Sequence, residues 1–483
     1  MTDLHYLSAH ELLEAYRTRA LSPVEVLDAV EDRADAVEPT VNALSHRLQE
    51  QARSAAVEAE ARYAGRGGGD PRPLEGIPVA AKEEQPVAGL PLRLGSLLTD
   101  DTPSPITHPV VERVLAAGGI VHAQTTTPEY SCAAFTQSAL WGVTRNPWNL
   151  GYGPGGSSGG SGAALAAGTT ILATGSDIGG SIRLPASLCG VVGFKPPYAR
   201  VPGVPPFNLD TYCHDGPMAR TVADTALLQN LIAGAHPMDP VSLPAPQPVV
   251  PDATKARGLK VAFAATIGDF PIDPDVAANT RALADSLRDA GIKVEEVAIS
   301  IPHETVFTAA LIHYGAIFGP MITELGDDDR LSRYARRFAD RAGQALTAHG
   351  FFKGLCLEAD VQQALADVFA DYDAIICPTL GSTGFLAGDD HVDHGVTVDG
   401  TYLDFYLGAA LTPVFNVASR HPVLNIPTGR AANGVPTGAQ IVGRAYDDAT
   451  PFHIGAAAEE VHRWWADPTW RPDLAQGPTG NQV

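Results

Sequence analysis

Serine and glycine crowd one short stretch of the chain, Gly153-Pro-Gly-Gly-Ser157-Ser158-Gly-Gly-Ser161-Gly162, and return in Gly175-Ser-Asp177-Ile178-Gly179-Gly180-Ser181-Ile-Arg183. A serine hydroxyl is a poor nucleophile until a base removes its proton as the new bond forms. Consecutive backbone N–H groups unobstructed by side chains, as at Gly179 and Gly180, can curl into a nest that binds negative charge. Acyl chemistry is therefore one reading of these residues. Dinucleotide binding and a plain flexible turn are others.

The rivals can be tried against context. Gly151-Tyr-Gly153-Pro-Gly-Gly156 fits the dinucleotide pattern G-x-G-x-x-G, with Asp177 near the place of a ribose-binding acid, but that pattern must follow a buried strand. The residues before it, Arg145-Asn-Pro-Trp-Asn149, are polar and broken by proline. Gly156-Ser-Ser158-Gly-Gly160 fits the G-x-S-x-G elbow, which would make Ser158 the nucleophile, and it lacks the same strand. A phosphate-binding Walker loop needs a lysine, and there is none between residues 150 and 190.

Several further segments stand in order around the serines: Gly76-Ile-Pro-Val-Ala-Ala-Lys82, Arg145-Asn-Pro-Trp148, Gly155-Gly-Ser-Ser-Gly-Gly160, Gly193-Phe-Lys-Pro196, Gly216-Pro-Met-Ala-Arg220 and Gly438-Ala-Gln-Ile-Val-Gly443. Together with Asp177 to Arg183 they give a chain that resembles the amidase-signature family over nearly its whole length. The resemblance implies an α/β fold with a central mixed sheet flanked by helices on both faces. It implies hydrolysis of a small or medium carboxylic amide to acid plus ammonia or amine, with no cofactor and no metal. It also assigns a Ser-Ser-Lys triad: Ser181 as nucleophile, Ser157 as the bridging serine on a cis peptide, and Lys82 as base.

Each assignment carries a physical requirement. Lys82 can be a base only when neutral, so the apolar run Ile77 to Ala81 should bury it in an apolar pocket. Ile178, Gly179, Gly180 and Ser181 would supply four oxyanion-hole donors. Asp177 and Arg183 read as charges that hold that loop. Glu83 stands where many relatives carry aspartate, and Thr126 where asparagine is common. The aromatic-rich segment from about 301 to 414, with Phe307, Tyr314, Phe318, Phe351, Phe352 and Tyr406, has two readings of equal standing, a wall of the acyl pocket and ordinary core packing for each ring. Two rivals remain: a protein similar to the aminoacyl-tRNA amidotransferase A subunit, which feeds ammonia to a partner, and a scaffold that kept the fold without the activity.

Composition bounds the rest. The chain has 483 residues, 45% hydrophobic and 18% charged, enough to bury a large core. Its net charge of -22 repels phosphate backbones and anionic lipid, so nucleic acid and membranes are not expected partners. The expected partner is a small-molecule amide, with a homodimer left open. The first residues lack a basic segment followed by an apolar one, and no stretch reaches about 18 uninterrupted apolar residues, so a cytoplasmic location is the expectation. Cys132, Cys189, Cys213, Cys356 and Cys377 are scattered, which fits free thiols better than a disulfide framework. Asp389-Asp-His391-Val-Asp393-His394 reads as an acidic surface loop rather than a metal site, and adjacent Cys213 and His214 are badly placed to pair.

The elements that must position these residues follow from periodicity. Ser8-Ala-His-Glu11 and Ser22-Pro-Val-Glu25 are capping boxes that start two helices. Short apolar runs bounded by glycine or proline predict strands at 76–81, 120–123, 261–264, 293–298, 374–377 and 440–443, and helical spacing predicts helices at 110–117, 275–290 and 451–464. The expected organisation is a helical N-terminal segment 1–70, a catalytic domain 71–470 and a flexible tail 471–483. The proline-rich run Pro244 to Pro251 could divide two halves or loop over the surface of one domain.

Overall fold

The computed structural model describes residues 3–326 and 328–474. Eleven strands form one mixed sheet: β1 (Leu44–Arg47), β2 (Pro78–Lys82), β3 (Ile120–Thr125), β4 (Leu172–Asp177), β5 (Val192–Lys195), β6 (His214–Ala219), β7 (Lys260–Phe263), β8 (Lys293–Glu296), β9 (Ala374–Pro378), β10 (Val423–Arg430) and β11 (Pro436–Gly443). Their spatial order is β1-β3-β2-β4-β6-β5-β10-β11-β9-β7-β8. β2 runs parallel to both β3 and β4, while β4 and β6 are antiparallel.

The strands are apolar on both faces because helices cover both. On β7 and β9 the alternation is explicit: Val261, Phe263, Ala374 and Ile376 enter one core, whereas Ala262, Ile375 and Cys377 enter the other. That second core also takes the helices His303–Thr323, Arg333–His349 and Phe351–Asp371. The helix 303–323 is long and apolar enough to cross a bilayer, but most of it is buried inside the protein.

Both capping boxes form, with Glu11 returning to the Ser8 N–H and Glu25 to the Ser22 N–H. The N-terminal segment is not purely helical: it holds β1, which pairs antiparallel with β3 at the sheet edge. The sheet continues across both sides of Pro244 to Pro251, and Asn230 on the helix Val222–Ile232 exchanges two hydrogen bonds with Val249. The connector is thus a surface loop of one body. Of the tail expected at 471–483, residues 475–483 lie outside the described residues; before them Trp470 donates to the Gly190 carbonyl and Arg471 pairs with Asp3.

Candidate active site

The site lies where the parallel strands β2 and β4 end, the place at which open α/β sheets leave a crevice. Lys82 is the last residue of β2, buried on every side, with its own N–H donated to Thr174 Oγ1 of β4 at 3.1 Å. Its Nζ lies 2.7 Å from Ser157 Oγ, 2.8 Å from Ser176 Oγ and 2.9 Å from Glu84 Oε2. The surroundings of the amine are therefore not the apolar pocket expected from the run before it. The apolar residues enclose the stem, while two hydroxyls and a carboxylate meet the nitrogen.

Ser157 enters from the glycine loop. The Gly156–Ser157 peptide bond is cis, and Gly156 is so enclosed that a Cβ there would stand 2.6 Å from the carbonyl oxygens of Ala133 and Phe135. Ser158 is disposed differently: its Oγ donates to the Ser176 carbonyl and accepts from the Ser176 N–H, both at 3.2 Å, so this hydroxyl is tied to β4. Among the described residues no strand runs directly into the glycine run, as the elbow and dinucleotide patterns would have required, and the nearest before it, Gly142–Val143, belongs to a separate two-stranded hairpin.

The loop that follows β4 is held residue by residue. Ser158 N–H donates to the Ser181 carbonyl at 3.1 Å, joining the two serine segments. The Ile178 carbonyl accepts from Tyr314 Oη at 3.1 Å and the Gly179 carbonyl from Thr412 Oγ1 at 2.7 Å. Gly180 has φ +123°, and a Cβ on it would lie 2.1 Å from Thr412 Oγ1, so no side chain fits. One expected oxyanion donor is already engaged: Gly180 N–H donates to Asp177 Oδ1 at 2.8 Å. Among the described residues the N–H groups of Ile178, Gly179 and Ser181, and the Ser181 hydroxyl, have no such partner.

Beneath the loop Asp177 and Arg183 form a buried pair at 2.8 and 2.9 Å. Burial pushes the Asp177 carboxyl up, but Arg183, Asn416 and Lys195 outweigh it and hold the group well below the usual carboxylate range. Glu84, too, is raised by burial, yet Lys82 and the hydroxyls of Ser131 and Ser176 bring it below its ordinary value. Glu83 turns away from the site; burial, together with the Glu84 charge, lifts it to about 7 although the Arg93 N–H donates to it at 2.8 Å. Thr126 Oγ1 bonds Thr144 Oγ1 at 2.7 Å, behind the glycine loop.

Two cavities meet at these groups. The larger, about 410 Å³, is lined by Glu84, Ser157, Ser176 and Ile178, with apolar walls that include Leu94 and Phe207. The smaller is lined by Gly156, Gly179, Ser181, Tyr314, Phe318 and Phe338. Of the six aromatic residues weighed for the acyl pocket, Tyr314 and Phe318 line these two cavities, while Phe351 and Phe352 are exposed and Tyr406 is buried with its hydroxyl on the Cys132 carbonyl.

The signals set aside from the sequence resolve into structure. His214 uses both ring nitrogens on the carbonyls of Asp177 and Ser419, and Cys213 turns to Asp210. Asp390 and Asp393 pair with Arg333, while His391 packs against Phe135 and Phe385.

A model of the family described as Amidase matches residues 25–451 of this chain. The chain belongs to the amidase family. Its amidase relatives include the acylamidase of Rhodococcus erythropolis, 32% identical and matched over 96% of this chain and 97% of that protein. The A subunit of the glutamyl-tRNA(Gln) amidotransferase of Chloroflexus aggregans is 33% identical, with 99% of this chain and all of that one covered. Among solved amidase-signature structures, a bacterial aryl acylamidase superposes with a TM-score of 0.86 at 26% identity, over 99% of this chain and 100% of the other. This amidase accordingly hydrolyses C–N amide bonds and has the α/β fold and mixed sheet of its family. Three positions that build its site carried no weight in the sequence, Glu84, Ser176 and Thr412, and Tyr314 stood out there only as an aromatic, not as a hydrogen-bond donor to the loop.

Proposed function

We propose that this enzyme hydrolyses an apolar amide through an acyl-enzyme on Ser181, with Ser157 and Lys82 moving the protons. The observation that carries the reading is the 2.7 Å contact between Lys82 Nζ and Ser157 Oγ, on a loop bonded to the Ser181 backbone. With Lys82 as a neutral amine, the Ser181 proton passes to Ser157 as the Ser157 proton passes to Lys82, and the Ser181 oxygen bonds to the amide carbon. The oxyanion is met by the three unengaged N–H groups of Ile178, Gly179 and Ser181. The proton returns through Ser157 to the leaving nitrogen as the C–N bond breaks. Water then attacks the ester, giving a proton to the same relay, which returns it to Ser181 as the bond between Ser181 Oγ and the acyl carbon breaks and the carboxylic acid leaves.

The substrate class follows from the cavity walls. Leu92, Leu94, Ile106, Val204, Phe207 and Met321 suit an apolar group. Among the described lining residues there is no lysine or arginine, while Glu84, Asp215 and Asp239 are present. The α-carboxylate of glutamine would meet repulsion there, which favours acylamide hydrolysis over glutamine-dependent ammonia transfer. The likeness to amidotransferase A subunits keeps the transfer reading as the alternative. Every group named comes from one chain, so neither a partner protein nor a second copy is needed for the chemistry, and the proposed setting is the cytoplasm.

A fluorophosphonate probe tests the nucleophile: we expect wild-type labelling that Ser181→Ala abolishes, with turnover lowered at least about 10,000-fold. Labelling that survives Ser181→Ala, or is lost equally in Ser158→Ala, overturns the assignment. Release of ammonia or amine from simple aryl and aliphatic amides by the purified chain, without ATP or tRNA, separates hydrolysis from transfer.

A further inference from the structure

We propose that Glu84 is a positioning residue for Lys82: its carboxylate aims the lysine amine at Ser157 and, in the resting enzyme, holds the proton that must leave before Lys82 can act as a base. The proposal rests on the triad reading above. A lysine ammonium has three N–H donors, and three acceptors surround this one, Ser157 Oγ, Ser176 Oγ and Glu84 Oε2, at 2.7, 2.8 and 2.9 Å. All three bonds of the protonated form are thus satisfied. That form has no lone pair to offer Ser157.

Loss of one proton to solvent, through the cavity that Glu84 and Ser176 line, leaves an amine with two N–H bonds and one lone pair. Glu84 is an obligate acceptor while ionised, and with Lys82 neutral the hydroxyls of Ser131 and Ser176 remain to favour its charged form. Ser131 Oγ donates to the same carboxylate oxygen and fixes it in place. One N–H therefore stays on Glu84, the second stays on Ser176, and the lone pair is left facing Ser157. The direction that catalysis needs is set by the acceptor that also opposes deprotonation.

Glu84 has a cost in pH. The carboxylate stands 2.9 Å from the nitrogen and attracts an ammonium more than an amine, so a neutral residue in its place should move the acid limb of activity to lower pH. Other titratable groups face this corner: Glu83 next in the chain, Asp215 on β6, His108 ahead of the helix Pro109–Ala116, and Cys213. The Glu84 charge raises all four, so the Glu84→Gln measurement is repeated in Glu83→Gln and Asp215→Asn backgrounds, and a limb shift that persists there belongs to the contact between Glu84 and Lys82.

The test is the rate of fluorophosphonate labelling of Ser181 against pH in wild type, Glu84→Gln and Glu84→Ala, a reading that needs no knowledge of the substrate. Both variants should move the acid limb down by at least about one pH unit, giving about tenfold faster labelling than wild type at a fixed pH on that limb relative to each plateau. Glutamine keeps an oxygen acceptor and alanine does not, so the alanine plateau should fall about tenfold or more below the glutamine plateau. An acid limb that moves in neither variant overturns the proton-holding role, and equal plateaus overturn the aiming role. Should Glu84→Gln fail to give a folded chain by melting, the limb of Glu84→Ala decides alone. A wild type that is not labelled at all removes the triad reading, and this inference with it; labelling with an unmoved limb removes only the inference.

Discussion

Arg183 and Lys82 are both buried cations that reach the stretch from Ser176 to Ser181, and the protein holds them in different ways. Arg183 directs its five N–H bonds to fixed acceptors: two to Asp177 and one each to the Thr412 carbonyl, Gln440 Oε1 and Asn416 Oδ1. A guanidinium never gives up its proton here, so nothing in that set changes during a reaction. Lys82 has three partners as well matched, but two are hydroxyls that can turn from acceptor to donor, and the third is a carboxylate that lines a cavity. Saturation by fixed acceptors makes a foundation. Saturation by reversible ones makes a place to store a proton.

The comparison breaks most visibly in stability. Arg183→Met leaves Asp177 as a buried charge without its cation, a change that costs about 3–5 kcal/mol. Lys82→Met leaves Glu84 beside a cavity that water can enter, so its cost should stay near ~1 kcal/mol while activity is lost. Urea unfolding of the two variants checks this. If Lys82→Met unfolds as easily as Arg183→Met, both cations are foundations and the distinction fails.

Gly180→Ala sharpens the comparison from the loop above Arg183. Its Cβ would press on Thr412 Oγ1 and Cβ at 2.1 and 2.6 Å, in a backbone conformation at φ +123° that alanine avoids. The bonds of Arg183 do not involve that residue, so the fold should survive while the Ile178 to Ser181 donors move. We expect kcat/KM to fall about 100-fold to 1,000-fold, the worth of one oxyanion donor, while the strain of the misfit side chain lowers the urea midpoint by less than Arg183→Met does. A rate within about threefold of wild type removes this loop from the oxyanion site.

Much of this arrangement was legible in residue types. β2, β7 and β9 are short apolar runs between glycine or proline, and buried strands of a two-sided sheet have to look that way. β1 was not legible: Leu44-Ser-His-Arg47 is half-buried and polar, a strand only because β3 offers it an edge. In Phe351–Asp371 the buried stripe runs Val361, Leu365, Phe369, four residues apart, and the first turn with Phe351 and Phe352 lies ahead of it. Lys82, Ser157 and Ser181 stood out through their order among neighbouring motifs. Glu84 carried no signal because it reaches the Lys82 amine only through the turn that follows β2, where the Gln85 N–H returns to the Lys82 carbonyl at 2.9 Å. Thr412 had none and Tyr314 only its aromatic ring, because their contacts with residues 178 and 179 span more than a hundred positions and exist only once the helices have docked.

Tyr314 gives the smallest effect and the finest test. Its hydroxyl donates to the Ile178 carbonyl at 3.1 Å from the helix 303–323, outside the ion-pair foundation. Tyr314→Phe keeps the ring, which packs 5.6 Å from Phe338, and removes one hydrogen bond worth about 1 kcal/mol. If the ring wall and the Asp177–Arg183 pair share the work of holding the loop, kcat/KM should fall about threefold to tenfold, with KM nearly constant because the lost bond orients donors rather than substrate. A change in KM alone would make Tyr314 a wall of the acyl pocket and nothing more. No change in either constant would assign the rigidity of residues 178–181 wholly to Asp177, Arg183 and Thr412.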